Sequence, residues 1–151
     1  MSIAQKTNDL ALREQAKVFL NAHRKMILTV LDQNGHPNSS LMLYVIDDDF
    51  NFYFGTCKCF GKYSALQKDA RVSVAVVEEK LDPLLVVDVQ GIAEEIPEEK
   101  TKETLGWFVS KNPAEYYVKD AEDFVMFRIK PQGVRWLDAT SGELKVYDLS
   151  M

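Results

Sequence analysis

The chain has 151 residues, of which 46% are hydrophobic, 27% charged and 11% aromatic. A chain of that length can bury a core of its own, and its apolar content excludes a disordered protein. Eighteen basic residues against 23 acidic ones give a net charge of −5, whereas nucleic-acid-binding proteins carry a basic excess. We therefore expect a single domain over residues 1–151 that binds no nucleic acid, although a small basic pocket for a phosphate remains compatible with this charge.

The sequence also predicts where the protein resides. No stretch approaches the roughly 18 apolar residues that cross a bilayer, and the polar segment from Met1 to Asp9 lacks the apolar core of a signal peptide. The two cysteines, Cys57 and Cys59, are separated only by Lys58, and such close spacing rarely reaches relaxed disulfide geometry. We expect reduced thiols in a soluble, cytoplasmic protein that makes no membrane contact.

The first half of the chain predicts a helix followed by two hairpins. Thr7 or Asn8 is a suitable helix cap, and the apolar residues that follow recur at mostly helical spacing. Asn34-Gly35 is a strong hairpin signal because both residues tolerate positive φ. The predicted elements are a helix at about 8–22 and strands at 26–31, 39–46 and 50–54.

The second half predicts more short strands and two or three helical segments. The strand at 84–93 is expected to bend near Gly91, and the sequence around Pro97 suits the first turn of a helix. Turn signals every 8 to 12 residues favour an antiparallel, closed or nearly closed barrel. The predicted elements are helical segments at 62–68, about 97–110 and 116–118, strands at 72–77, 84–93, 124–129, 134–137 and 144–147, and turns at 131–133 and 140–142.

One segment combines the parts of a small anion site. A strand ends at Gly55-Thr56, a short loop follows, and Gly61-Lys62 opens a helical turn. A hydroxyl, a glycine that permits close backbone approach, a cation and free helix amides together suit a phosphate. The plain alternative is a solvated turn, because lysines at the start of surface helices are common.

The alternation of residues 38–45 predicts two faces of one strand. The apolar face is expected to fill the barrel, and the other face, polar at one end and aromatic at the other, suits a ligand with a phosphate tail and a flat ring. The alternative is an outer face that packs on a helix or a partner subunit. The expected barrel face is Ser39, Leu41, Leu43 and Val45, and the expected ligand face is Asn38, Ser40, Met42 and Tyr44.

Metal and catalytic motifs are not recognisable. His23, His36 and the two cysteines do not have the spacing of a zinc finger. The sequence contains no dinucleotide-binding glycine motif, no phosphate-binding Walker loop and no serine nucleophile elbow. We predict no metal site and assign no catalytic residue.

The order of several motifs resembles a known family. These motifs are P-N-S-S-L-M-L-Y from Pro37, F-Y-F-G-T-x5-K from Phe52, K-D-A-R-V-S-V-A-V from Lys68, D-V-Q-G-I-A-E-E-I from Asp88 and K-P-Q-G-V-R-W-L from Lys130. Over about residues 8–138 the chain resembles the flavin-binding split-barrel family typified by pyridoxamine 5′-phosphate oxidase, and especially its short members similar to general stress proteins.

The resemblance implies a fold, a cofactor and a set of contacts. The implied fold is mainly β with flanking helices, a six-stranded antiparallel split β-barrel. FMN is expected on the outside of the barrel, in a groove shared by the two subunits of a homodimer. The residues that match the cofactor-binding positions of the family are Ser40, Leu41, Met42, Leu43, Gly55, Thr56, Gly61, Lys62 and Trp136.

The chain also departs from the oxidase itself. The oxidase has an arginine where Ser40 stands and a serine-arginine pair where Phe60-Gly61 stand, so two cationic phosphate contacts are missing. Each such bond is worth about 1.5–3 kcal/mol, and Lys58 is the residue expected to compensate. The arginine-and-histidine pattern that holds the substrate phosphate in the oxidase is not visible either.

Two functions follow from this comparison. The first is an FMN-dependent oxidoreductase whose substrate and electron donor the sequence does not identify. Tyr44 and Lys58 are placed near the expected ring, although Tyr44 also suits a packing role. The second is a non-catalytic protein that binds or senses flavin or haem on the same barrel.

Overall fold

The protein is a mainly antiparallel β structure with three helices, seen in a computed structural model that describes residues 4–112 and 123–151. The predicted helix at 116–118 lies outside the described residues. The elements are β1 (Gln5–Thr7), α1 (Leu10–Ala22), β2 (Lys25–Leu31), β3 (Pro37–Leu43), β4 (Val45–Ile46), β5 (Phe52–Cys57), α2 (Gly61–Lys68), β6 (Arg71–Val77), β7 (Leu85–Glu95), α3 (Glu98–Lys111), β8 (Phe124–Asp138) and β9 (Lys145–Leu149).

The strands form one sheet that is wound but not closed. Its path is β1-β9-β8-β7-β6-β2-β3, and β5 branches from β8 and also pairs with β4. The long strand β8 permits this split, because its first part pairs with β5 and its second part with β9. The split-barrel fold class is confirmed. The described chain has nine strands where six were expected, since β1, β4 and β9 add to the six larger ones.

Strand β8 corrects one prediction. The predicted turn at residues 131–133 is wrong, because β8 continues through it opposite β7. Gln90 pairs with Gly133 and Gly91 pairs with Pro131, so Gln132 is the extra residue of a β-bulge. A bulge accommodates proline within a strand. The register shift lies at Gly91, where the bend of β7 was expected.

Helix α1 closes one side of the main core. Its buried residues Ala16, Phe19 and Leu20 pack inside the sheet. The predicted caps at Thr7 and Asn8 were wrong, because the Asp9 carboxylate caps the helix by accepting the Ala11 amide at 2.8 Å. The hydroxyl of Thr7 instead accepts the amide of Asp9.

The assignment of faces on β3 was inverted. Met42 and Tyr44, two residues further along, are buried in the main core, whereas Leu41 is 58% exposed on the outer face. Further along that outer face, Leu43 and Val45 pack in a second cluster with Phe108 of α3. Both faces carry large apolar residues, so alternation alone could not decide which one faced the core.

The two cysteines form a disulfide, so the expectation of reduced thiols was wrong. Cys57 ends β5, and the turn that follows brings its Cα within 5.1 Å of the Cα of Cys59. That separation lies in the ordinary range for a disulfide. Within residues 4–112 and 123–151, no helix has both the length and the apolar character needed to cross a membrane.

Candidate functional site

A cavity of about 630 Å³ lies between the β2–β3 hairpin and the start of α2. This volume is in the range of small-molecule sites. The hairpin and β3 form one wall, and the first turns of α2 form the other. The lining residues are Val30, Asp32, Gln33, Asn34, Asn38, Ser39, Ser40, Phe60, Gly61, Lys62, Ser64 and Ala65.

The hairpin wall is held by one carboxylate. Asp32 accepts the backbone amides of Asn34 and His36, each at 2.9 Å, and the side-chain amide of Asn38 at 3.0 Å. Gly35 has a φ of +78°, which the tight turn requires and a glycine adopts freely. The local sequence therefore fixes the shape of the turn in this wall.

The helix wall presents a free N-terminus. Phe60 precedes α2 but its side chain makes no capping bond, and a Cβ added at Gly61 would meet nothing within 4 Å. At the other end of the helix, the Lys68 ammonium donates to the carbonyl of Gln33 and ties α2 to the hairpin. The opening of α2 thus combines the positive end of a helix dipole with first-turn amides that no side chain caps, although the Tyr63 amide donates to the Phe60 carbonyl at 3.1 Å.

Lys62 is a half-buried cation beside the cavity. Its Nζ lies 3.0 Å from the sulfur of Met42, a thioether that is only a weak hydrogen-bond acceptor. Burial lowers the pKa of Lys62. Among the described residues, no carboxylate lies within ion-pair distance of Lys62. The ammonium is therefore poorly compensated by the protein itself.

Ser40 supplies a second uncompensated polar group. Its Oγ is buried and, within the described part of the chain, makes no hydrogen bond. A buried hydroxyl without a partner costs about 1–3 kcal/mol, so such atoms point to a missing ligand or water. Ser40 lies on the same cavity as Lys62 and Gly61. A hydroxyl, an ammonium and helix amides are the donors that a phosphate group accepts.

Asp32 decides which end of the cavity suits an anion. The bonds from the amides of His36 and Asn34 and the side chain of Asn38 lower the pKa of this carboxyl. Asp32 is therefore ionised at neutral pH and repels a phosphate from the hairpin end. The end formed by Ser40, Gly61 and Lys62 is left for the anion.

Three of the nine predicted cofactor residues line this cavity, and a fourth, Met42, touches Lys62 from the core side. Leu41 and Leu43 lie on the opposite, outer face of β3. Gly55 and Thr56 lie buried on β5. The structure therefore brings together Ser40, Gly61 and Lys62, but it does not bring Thr56 to the same cavity.

The remaining predicted residues have structural contacts. A Cβ at Gly55 would lie 2.2 Å from the ring of Phe124, so this glycine makes room for the neighbouring strand. Trp136 is 3% exposed, and its ring centre lies 5.2 Å from that of Phe19. The indole therefore packs in the core of this chain, away from the cavity.

Two further side chains named from the sequence also lie outside the cavity. Tyr44 is fully buried and donates its hydroxyl to the carbonyl of Leu20 at 2.7 Å, as its packing role predicts. Lys58 points over the ring of Tyr63 at 5.9 Å and lines a different groove, beside α3. It does not replace the missing arginines.

Most of the hairpin and helix residues of the cavity were missed. Asn38 lines the cavity, in agreement with its place on the expected ligand face. Gln33 was interpreted only as a turn residue, and Ser64 and Phe60 were not considered as ligand contacts. Phe60 is 61% exposed at the rim, which is unusual for a large aromatic side chain. The sequence gives no direct signal for these residues. The hairpin turn and α2 are distant in sequence, and they lie close together only because α2 packs against β2 in the folded protein.

The fold and the cavity together define a class: a small split β-barrel with a cavity between its strand β3 and the start of α2. The family model for pyridoxamine 5′-phosphate oxidase matches residues 12–138 of the chain. The chain belongs to this family. Comparison with curated proteins gave no match.

Several solved structures share the fold. A heme binding protein from Mycobacterium smegmatis has a TM-score of 0.75 at 21% identity, covering 93% of this chain and 59% of its own. General Stress Protein 26 from Bacillus anthracis has a TM-score of 0.69 at 19% identity, covering 84% and 94%. A FAD-binding protein from Mesorhizobium loti has a TM-score of 0.66 at 23% identity, covering 80% and 90%.

Proposed function

We propose that the protein binds FMN and acts as an oxidoreductase, with the flavin phosphate held at the end of the cavity formed by Ser40, Gly61 and Lys62. The observation that carries this proposal is the pair of uncompensated groups, the buried Ser40 hydroxyl and the Lys62 ammonium, on one cavity. Family membership and the FAD-binding relative support a flavin as the ligand.

Each residue has a defined task in this proposal. Lys62 neutralises the phosphate, Ser40 donates its hydroxyl, and the first amides of α2 add hydrogen bonds and the helix dipole. Phe60 at the rim offers a flat apolar surface to a ring system. When bound, the flavin supplies the electron-transfer chemistry, and the protein supplies position and electrostatics.

We test the role of Lys62 by titrating the protein with FMN and following flavin fluorescence. Lys62→Met removes the ammonium but keeps an apolar side chain of similar length. A charge-assisted bond is worth about 1.5–3 kcal/mol, so FMN affinity is expected to fall about 10- to 100-fold. Lys100→Met, on the exposed start of α3, is the control for the loss of one charge. Equal affinity in both variants removes Lys62 from the site.

A second pair of variants separates the hydroxyls of β3. Ser40→Ala removes the unpartnered buried group, so the free protein is expected to become about 1 kcal/mol more stable while FMN binding weakens about fivefold. Ser39→Ala removes a hydroxyl that already pairs with the hydroxyl of Thr29 at 2.7 Å, so it serves as the control. A Ser40→Ala protein that is both less stable and unchanged in FMN affinity contradicts the assignment.

A non-catalytic protein that holds flavin or haem is the second candidate, favoured by the heme binding relative. Both ring nitrogens of His23 are already engaged, at 2.7 Å from the Phe19 carbonyl and at 2.7 Å from Glu78. His36 is exposed in the hairpin turn next to the cavity and is the imidazole left for an iron. A Soret band lost in His36→Ala supports haem, whereas bleaching of bound FMN by NADH or NADPH supports turnover.

We also propose a cytoplasmic homodimer in which the cofactor cavity lies at the interface. The cavity borders β3, an end of the sheet path, and the outer face of this strand exposes Leu41. A second subunit on that face would cover the apolar side chain, and by extending past the edge of β3 it would reach the cavity on the other side of this strand. The substrate and the electron donor are left unassigned.

A further inference from the structure

The Cys57–Cys59 disulfide lies in the turn that leads into α2, the helix that forms one wall of the cavity. Cys57 ends β5, and Phe60 directly precedes α2. The turn between them is held by the Lys58 amide, which donates to the Asp123 carbonyl at 2.8 Å, and by the Phe60 amide, which donates to the Cys57 carbonyl at 3.1 Å. Any change in this turn therefore reaches Gly61 and Lys62, the first residues of α2.

The disulfide is expected to add little to the stability of the fold. Disulfides stabilise proteins mainly by closing a loop in the unfolded chain, and their effect grows with the length of that loop. This disulfide encloses one intervening residue, Lys58. The turn also keeps its backbone bonds to Asp123 and Cys57 without it. The bond thus needs another explanation than stability.

Exposure makes the disulfide reachable. Cys59 and Lys58 are exposed, whereas Cys57 is half-buried at the end of its strand. Thiol–disulfide exchange requires a thiolate to approach one sulfur along the bond, so access decides which sulfur is attacked. Lys58, the residue between the two cysteines in sequence, carries a positive charge that attracts an anionic thiolate to this turn. Cys59 is the accessible sulfur, and Cys57 is the leaving group.

We propose that Cys57 and Cys59 form a redox-active site that exchanges with dithiols and adjusts the cavity wall at the start of α2. A thiolate of a reducing dithiol bonds to the sulfur of Cys59, and Cys57 leaves as a thiolate that takes a proton. The second thiol of the reductant, losing its proton, displaces Cys59. The reductant becomes a disulfide, and the two electrons and two protons end on the thiols of Cys57 and Cys59.

Such a site fits the cytoplasm that we propose for the protein. Disulfides in that compartment are usually transient and serve catalysis or redox sensing, because cellular reductants keep most thiols reduced. The exchange itself does not depend on a flavin. Only its effect on the cavity, through Gly61 and Lys62, rests on the proposed function.

The exchange is tested on the full chain by thiol trapping. The protein is equilibrated in buffers of reduced and oxidised dithiothreitol, quenched in acid, alkylated with iodoacetamide and weighed by mass spectrometry. We expect two alkylated cysteines in reducing buffer and none in oxidising buffer, reversibly and with the native fold retained. Two free thiols at every ratio overturn the proposal, as does a disulfide that survives excess dithiothreitol until the protein unfolds.

Single-cysteine variants test which sulfur reacts. Cys57→Ser leaves the exposed Cys59, which is expected to form a mixed disulfide with oxidised glutathione several-fold faster than the half-buried Cys57 of Cys59→Ser. The reverse order contradicts attack at Cys59. The double serine variant should unfold at nearly the urea concentration of the oxidised protein, and a large loss would instead mark a structural cross-link.

The effect on the cavity is measured separately by FMN titration of the oxidised and reduced protein. Different affinities support the coupling of the disulfide to α2, and equal affinities overturn the coupling. Absence of FMN binding in both states contradicts the proposed function but leaves the thiol-trapping result to decide the redox site. The double serine variant should show the affinity of the reduced protein under both conditions.

Discussion

Lys111 shows how burial acts on a single side chain. It lies near the end of α3, where its Nζ donates to the Leu20 carbonyl at 3.3 Å and lies 4.6 Å from the centre of the Tyr44 ring. Burial, with a smaller contribution from the charge of Arg24, lowers the pKa of Lys111 to about 8. The hydrogen bond and the ring therefore do not make up for the water that the ammonium loses.

This shift predicts a pH-dependent stability. The unfolded chain holds the lysine proton up to an ordinary pKa near 10.5, whereas the folded chain releases it from about pH 8. Between those values the unfolded state binds more protons, so stability rises with pH. Below pH 8 the buried ammonium lowers the free energy of unfolding by its full amount, and above pH 10.5 it no longer lowers it.

Because Lys111 is partly exposed and water screens its charge, we expect less than the full effect of the pKa shift: the difference in unfolding free energy between the wild type and Lys111→Met should change by about 1–2 kcal/mol in favour of the wild type from pH 7 to pH 10.5. Urea unfolding of both proteins at the two pH values measures it, and comparing the pair cancels the other titrating groups. Lys100→Met is the control for an exposed lysine. Parallel pH profiles for Lys111→Met and the wild type would contradict the shift.

Single side chains could be predicted from the sequence only where local chemistry fixes their surroundings. Lys62 is such a case, because a cation in the first turn of a helix stays near that helix end. Leu41 and Trp136 are the opposite case. Whether each of these side chains points into the core depends on which face of its strand is covered by other elements. The covering helices, α1 and α3, lie elsewhere in the sequence.

At the level of elements, the sequence predicts which helices and strands form better than it predicts whether a strand continues through a turn-like segment. The bounds of α1, α2 and β6 differ from the predicted ones by one or two residues. Strand β8 was divided because Pro131 and Gly133 are ordinary turn residues. Only the pairing with β7 makes them part of one bulged strand. The three-residue strand β1 was missed, because its pairing with β9 is not encoded by a periodic pattern.

The bulge between β7 and β8 provides a test with a matched control. A Cβ at Gly91 would lie 2.4 Å from the backbone carbonyl oxygen of Lys130 and 2.8 Å from a methyl carbon of Ile129, so Gly91→Ala must displace a strand. We expect it to cost about 1–3 kcal/mol or more in urea unfolding. Gly133, also at the bulge, has nothing within 4 Å of such a Cβ, so Gly133→Ala should stay within about 0.5 kcal/mol. Equal losses in the two variants would show that the close approach at Gly91 is not what matters.

At the level of the whole molecule, one row of side chains crosses the outer face of the sheet. Paired residues on neighbouring strands point to the same face. The row is apolar at one end, where Ile27 and Leu41 are 41% and 58% exposed, and charged at the other. In order across the sheet it consists of Leu41, Ile27, Ala75, Asp88, Arg135 and Asp148.

The charged end of this row is already balanced. Arg135 donates to the carboxylate of Asp148 at 2.8 Å, and burial raises the pKa of Asp88, which lies on the other side of the same arginine. The apolar end has no such compensation, because two large side chains face water. A two-fold interface that covers the apolar end in both subunits is therefore the simplest way to bury it.

Ile27→Glu is expected to convert the proposed dimer into a monomer, because it places a carboxylate in the centre of the apolar end in both subunits at once. Light scattering coupled to size-exclusion chromatography measures the mass. Leu81→Glu is the control, since Leu81 is 87% exposed in the loop between β6 and β7. Because Ser40 and Leu41 point to opposite faces of the edge strand β3, the FMN affinity of the monomer tests whether the interface also reaches the cavity. A wild-type protein that elutes with the mass of one chain, or an Ile27→Glu protein that remains dimeric, would place the interface elsewhere or remove it.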